Sequence, residues 1–157
     1  MFDWSAVPVF GAPSPALPQV IRPSAYALIH AAGKGLAIVR ASTGLYLPGG
    51  GIVGAESPED AACREAREEC GLTILPGSWR RAAIDHITAE REATHYEKRT
   101  IFCDATVVAI TEPVEPGHVL VWTDASEALV ALTPPSHRWA VGEWMNRAID
   151  KCAHGPQ

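Results

Sequence analysis

A chain of 157 residues, 47% of them hydrophobic, is long enough for one domain with a substantial core. Its net charge of -5 argues against a sequence-independent grip on long nucleic acid, which needs a basic face. No apolar run approaches the ~18 residues of a membrane span, and Met1-Phe2-Asp3-Trp4 lacks the basic start and continuous apolar region of a signal peptide. A cytoplasmic protein with no membrane partner is expected, as a monomer or homodimer.

Residues 1–23 read as a Pro-rich leader. Pro8, Pro13, Pro15, Pro18 and Pro23 forbid a continuous helix or a central strand, so it should wrap the surface or pair at a sheet edge. Residues 24–151 then form the domain. Tyr26 to Ala31 and Leu36 to Arg40 read as two strands around a Gly33-Lys34-Gly35 turn, and Leu45 to Leu47 as a short third. Gly49-Gly50-Gly51 reads as a glycine turn, where the backbone can take conformations that side chains would block.

A helix is predicted over 58–70. Ser57 suits the N-cap and Pro58 the first helical position. Asp60 completes the start signal at the positive end of the dipole. Gly71 supplies the left-handed residue that ends the helix. Ala62, Cys63, Ala66 and Cys70 share the stripe that faces the core. Glu65, Glu68 and Glu69 share a second stripe, at spacings where like charges destabilise a helix by a few tenths of a kcal/mol per pair, roughly. A hard divalent cation with oxygen ligands converts that cost into a binding site. An arbitrary Glu-rich helix is more often a solvated face, balanced here by Arg64 and Arg67.

Farther on, Trp79 to Glu90 reads as a strand, Ala89 to Lys98 as a charged hairpin loop, Arg99 to Ile110 as a strong strand and His118 to Thr123 as another. Asp124 starts a short helix that Pro134-Pro135 ends, and Ser136 caps a last helix over about 137–151. Strands and helices interleave without a regular βαβ rhythm. The expected class is α/β, with a mixed β-sheet between helices.

The pattern of residues 50–72 selects between the two readings of the acidic face. Gly50, Glu56, Arg64, Glu65, Ala66, Glu68, Glu69, Gly71 and Leu72 resemble the Nudix box, G-x5-E-x7-R-E-U-x-E-E-x-G-U with U aliphatic. Seven of these are fixed identities, so a chance match at a given start is on the order of one in 10⁸. The chain departs from the fuller pattern at Val53, where many relatives are acidic, and at Ala55, where they have glycine. Both positions are free in the minimal motif. Ser136-His137-Arg138-Trp139-Ala140-Val141 more loosely resembles the last helix of a bacterial Nudix subgroup of unassigned substrate; its alternative role is packing.

The resemblance implies a Nudix-type α/β/α sandwich that hydrolyses a pyrophosphate bond in a nucleoside diphosphate linked to another moiety. Nucleoside triphosphates and nucleotide sugars rank level as its small-molecule partner. It implies Mg²⁺ or Mn²⁺ as cofactor, held by Glu65, Glu68 and Glu69 with the backbone carbonyl at Gly50. Glu56 and Arg64 would form an ion pair that pins the loop to the helix. Catalytic candidates are Glu65, Glu68, Arg64 and Glu56, with the general base unassigned. One further carboxylate would come from the loop before Trp122, with Glu115 the first candidate, Glu112 the second, and a solvated loop glutamate the alternative. A non-catalytic Nudix-like nucleotide sensor is the rival reading; degenerate boxes signal that outcome, and this box is intact.

Selectivity would come from loops. Tyr46 and Tyr96 could stack on a base or simply pack. Arg91, Lys98 and Arg99 could meet phosphates or balance Glu90, Glu92 and Glu97. His30, His86, His95, His118 and His137 show no paired ligand spacing and read as surface or core residues, with His86 and His95 the candidates for substrate contact. Cys63, Cys70, Cys103 and Cys152 have no C-x-x-C spacing and read as reduced thiols.

Overall fold

The computed structural model describes the backbone of residues 1–153 and the side chains of residues 1–147. In chain order the elements are β1 (Val9–Phe10), β2 (Gln19–Ala31), β3 (Gly35–Ala41), β4 (Gly44–Tyr46), β5 (Gly49–Gly51), α1 (Pro58–Cys70), β6 (Leu72–Ala89), a 3₁₀ turn (Glu90–Glu92), β7 (Thr94–Ile110), β8 (Val119–Thr123), α2 (Ala125–Ala131) and α3 (Pro135–Ala153). The strands form one mixed sheet in the order β1-β6-β7-β2-β3-β4, with β5 added to β2 and β8 to β3. β1 with β6 and β2 with β7 run parallel; the remaining pairs are antiparallel.

Alternation along β2 divides the core. Ala25, Ala27 and Ile29 face α1, where Ala61, Ala62, Ala66 and Cys70 meet them. Tyr26 and Leu28 face the other way, with Phe102, onto Ala128 of α2 and Ala140 and Val141 of α3. The small residues of α1 let its axis approach the sheet closely, which holds the acidic stripe at the sheet's rim. The expected α/β/α sandwich is the one observed.

The α1 boundaries agree with the capping signals. Ser57 Oγ accepts the Asp60 N–H at 3.0 Å, and Gly71 takes the left-handed conformation, φ 66°, with its N–H on the carbonyls of Ala66 and Arg67. Burial pushes the Cys70 and Cys103 thiols up to about 12, which makes them unreactive core residues. Cys152 lies outside the described side chains.

Four local expectations need correction. The leader pairs at an edge through β1, but its Gln19 to Pro23 lie within β2, a central strand. Pro23 is tolerated because its nitrogen faces the β5 side, where pairing stops at Ser24–Gly51; its carbonyl still accepts the Ile52 N–H at 3.1 Å. The three glycines form a short strand, β5, on β2 rather than a turn. β6 begins at Leu72, not Trp79, and a register irregularity between Pro76 and Arg80 hides its continuity. Thr94 to Lys98 are strand, not loop, so the hairpin between β6 and β7 is only the 3₁₀ turn and its flanks.

Candidate active site

Glycine spacing sets the floor of the site. The Gly49 N–H donates to Glu69 Oε2 at 3.1 Å. An ideal Cβ on Gly50 would lie 2.5 Å from Glu65 Oε1 and 2.7 Å from its Cδ, so the missing side chain is the cradle for that carboxylate. Gly51 has no such neighbour, its nearest being the Pro23 carbonyl at 4.0 Å, but its own carbonyl accepts from Arg64 Nη2 at 3.0 Å.

Arg64 organises the rest of the box. Its Nε and Nη2 hold Glu56 at 2.7 and 3.1 Å, the bidentate pair that ties the loop to α1. Its Nη1 reaches Glu65 at 2.8 Å and Glu68 at 3.3 Å. Those Arg64 bonds, with the Val53 N–H, hold the Glu56 carboxyl down at about 2. Val53 therefore contributes its backbone where many relatives contribute an acid.

Glu69 is 8% exposed. Burial, with the charges of Glu65, Glu115 and Glu68, pushes its carboxyl up to about 7 against the pull of the Gly49 N–H. Glu65 and Glu68 are bridged by Arg64, whereas no arginine or lysine reaches Glu69 among the described residues.

The loop before β8 docks on the end of α1. The N–H groups of Val114 and Glu115 both donate to the Glu68 carbonyl, at 3.0 and 2.8 Å. This brings the Glu115 carboxylate to the box and leaves Glu112 outside it. Two groups result, each with its ligand atoms within 4.8 Å of one another: Glu65, Glu68 and Glu115; and Glu69, Glu115 and His118. Hard carboxylate oxygens in close array suit Mg²⁺ or Mn²⁺. The donor set and the Gly50 cradle therefore fit such an ion.

His118 was missed as a site residue because the sequence shows no paired histidines. The available signal was Glu115-Pro116-Gly117-His118. Proline then glycine at the centre of a four-residue turn brings the outer side chains together, and Gly117 has the positive φ, 85°, that such a turn requires.

Two cavities flank the cluster. One, about 180 Å³, is lined by Glu69, His118, Gly49, Tyr26, Tyr46 and Thr43, among others. The second, about 370 Å³, opens beside Gly51 and holds Arg22, Ser24, Tyr96 and Lys98. Tyr26 lines both. Lys98 donates to the Tyr26 hydroxyl at 2.7 Å, and no carboxylate lies within 4.0 Å of its ammonium among the described residues. Burial draws the Lys98 ammonium below its usual range. Arg22 covers the Tyr96 ring at 5.0 Å, and the Tyr96 hydroxyl bonds Glu92.

The remaining candidates separate. Arg99 pairs with Glu97 at 2.7 Å and Arg91 lies on the exposed 3₁₀ turn, so neither lines the cavity. His95 is fully buried, bonded to His86 at 3.0 Å and Thr88 at 3.1 Å, and is closed to substrate. His137 is buried too. Its Nδ1 accepts the Leu47 N–H at 3.1 Å, fixing the approach to β5, and burial keeps it neutral, well below 6.5. Trp139 packs with Phe10 and Phe102, and Trp144 with His30, in the packing role.

The NUDIX domain model matches residues 20–145. The chain belongs to the Nudix family. Its fold is shared with a NUDIX hydrolase from Nitrosomonas europaea, at TM-score 0.63 and 21% identity, over 82% of this chain and 90% of that one. A C. elegans Ap4A hydrolase matches at TM-score 0.65 and 16% identity, over 82% and 98% of the two chains. The E. coli dihydroneopterin triphosphate pyrophosphohydrolase matches at TM-score 0.60 and 18% identity, over 80% and 97%. Curated proteins gave no sequence match. Family and fold place this chain with the Nudix pyrophosphohydrolases. No described helix is long and apolar enough to cross a membrane.

Proposed function

We propose that this Nudix chain hydrolyses a pyrophosphate bond in a nucleoside diphosphate linked to a further moiety, using Mg²⁺ or Mn²⁺. The observation that carries the reading is the convergence of Glu65, Glu68, Glu69 and Glu115, from a helix and a distant loop, with Glu65 and Glu69 seated against one glycine strand. Those carboxylates, with the Gly50 carbonyl, are the ligands we assign. When bound, the ion neutralises developing phosphate charge and makes water more acidic. Glu56 and Arg64 hold the loop and the carboxylates in register. A glutamate of the cluster takes the proton from the attacking water, which adds to phosphorus as the bridging P–O bond breaks.

Lys98 and Arg22 line the cavity beside Gly51 and supply positive charge where substrate phosphate needs it. Tyr96 gives that cavity an aromatic wall. We place the substrate among nucleoside triphosphates and nucleotide sugars. The test is product release from a panel of both classes, with Mg²⁺, Mn²⁺ or EDTA. Metal-dependent turnover of at least one member is expected. Binding of these nucleotides without turnover in any metal would favour the sensor reading instead.

A further inference from the structure

Resting on the metal-dependent reading, we infer that His118 supplies an imidazole ligand to a second ion position, which shares Glu115 with the all-carboxylate one and favours Mn²⁺ over Mg²⁺.

The two ligand groups differ in kind. Glu65, Glu68 and Glu115 offer only oxygen; Glu69, Glu115 and His118 offer two oxygens and a nitrogen. Glu115 is common to both, so two neighbouring ions would be bridged by one carboxylate. The His118 spacings are wrong for hydrogen bonds. Nε2 lies 3.6 Å from Glu69 Oε1, and Nδ1 lies 3.8 Å from Glu115 Oε2. Nδ1 is shielded from solvent and has no hydrogen-bond partner. Two ligand atoms, each about 2.1 Å from an ion, lie about 3.0 Å apart at a right angle and about 4.2 Å apart across it. The observed gaps fall between those limits. Both are too wide for direct bonds; because they belong to different ring nitrogens, one nitrogen alone completes a set with Glu69 and Glu115, whose three ligand atoms lie within 4.8 Å of one another.

The position is also held in place. Glu115 is fixed from the N-terminal side by the two bonds to the Glu68 carbonyl, and β8 begins at Val119, paired with Arg40. The Pro116-Gly117 turn joins them. The Glu69 carboxylate is fixed by the Gly49 N–H. Glu69 and His118 of the group line the cavity of about 180 Å³, so an ion there has an entry path. One ring nitrogen ligates as the neutral imidazole, and the other carries the proton.

Donor chemistry then gives selectivity. Mg²⁺ takes oxygen ligands and keeps its waters, whereas Mn²⁺ and later divalent ions gain from an imidazole. The experiment is pulsed electron paramagnetic resonance on the Mn²⁺-loaded protein, comparing natural-abundance and ¹⁵N-histidine samples. It is joined by Mn²⁺ and Mg²⁺ binding isotherms for wild type, His118→Ala and His118→Gln. A histidine nitrogen signature is expected in the wild type. In both variants that signature disappears, Mn²⁺ affinity at one position falls by about tenfold or more, and Mg²⁺ affinity stays within about twofold. Mn²⁺ binding to the wild type without nitrogen coupling overturns the His118 assignment and leaves the hydrolase reading standing. Unchanged Mn²⁺ affinity in the variants does the same. No divalent binding to the wild type overturns both. Absence of the signature in the wild type overturns the assignment even if a variant folds poorly.

Discussion

Gly49, Gly50 and Gly51 are consecutive, yet alanine at each should fail in a different way. At Gly49 the backbone has φ 148°, and a Cβ would lie 2.6 Å from Tyr26 Cα, with the Ala25 carbonyl closer still. Both obstacles are backbone of a central strand. Strain of about 1–3 kcal/mol adds to an overlap of about 1–3 kcal/mol, so Gly49→Ala should cost about 2–6 kcal/mol. For a chain of this size that is a fall of about 10 °C in melting temperature. At Gly50 the obstacle is the tip of a side chain, Glu65 Oε1 at 2.5 Å. The carboxylate can withdraw by about 1 Å, so stability should change by under about 1 kcal/mol while turnover drops by about 10². Gly51→Ala meets nothing closer than 4.0 Å and should stay within about 0.5 kcal/mol of wild type. Thermal melts and steady-state turnover on the three variants separate these outcomes. Equal melting temperatures for Gly49→Ala and Gly51→Ala, or full turnover in Gly50→Ala, would refute the reasoning.

His137→Phe should lose about 1–3 kcal/mol, because the buried Leu47 N–H loses its acceptor. The folded His137 sits well below 6.5, so its contribution is complete above about 6.5 and lost as pH falls toward the folded value; melts across that range should slope in wild type and flatten in the variant. Glu56→Gln should loosen the loop more than it slows catalysis. The folded carboxyl is depressed to about 2 from 4.5, so its stabilisation is present above 4.5 and lost as pH falls to about 2, where variant and wild type should melt together. Glu115→Gln should lower turnover by at least about tenfold with the fold intact, and Glu112→Gln should stay within a few-fold, because only Glu115 reaches the cluster. Equal behaviour of that pair would remove the loop from the site.

The box helix was legible because its signals are local. Ser57, Pro58 and Gly71 fix its ends through bonds within one or two turns, and the alanine stripe identifies its core face. The sandwich followed from interleaved elements. The strands were less legible where charge or glycine conceals them. Glu97 and Lys98 look like loop, but Glu97 is neutralised by Arg99 and Lys98 turns into a cavity. A strand carrying site residues breaks the alternation that would reveal it. Gly49 to Gly51 carry no β propensity; close approach of Tyr26 selects Gly49 and that of Glu65 selects Gly50. Pro23 enters a central strand because the missing N–H falls where pairing has ended. His118 needed the tertiary docking of its loop on Glu68, which is invisible in spacing along the chain.

The central claim is that the Glu65, Glu68, Glu69 and Glu115 cluster drives hydrolysis through a divalent ion. Its most direct test is turnover of wild type and Glu68→Gln on the best substrate of the panel, in Mg²⁺, in EDTA and after Mg²⁺ is restored. Wild-type turnover should vanish in EDTA and return with Mg²⁺, and Glu68→Gln should be slower by about 10³ or more in every metal condition. Full wild-type turnover in EDTA, or a Glu68→Gln protein as fast as wild type, would contradict the account.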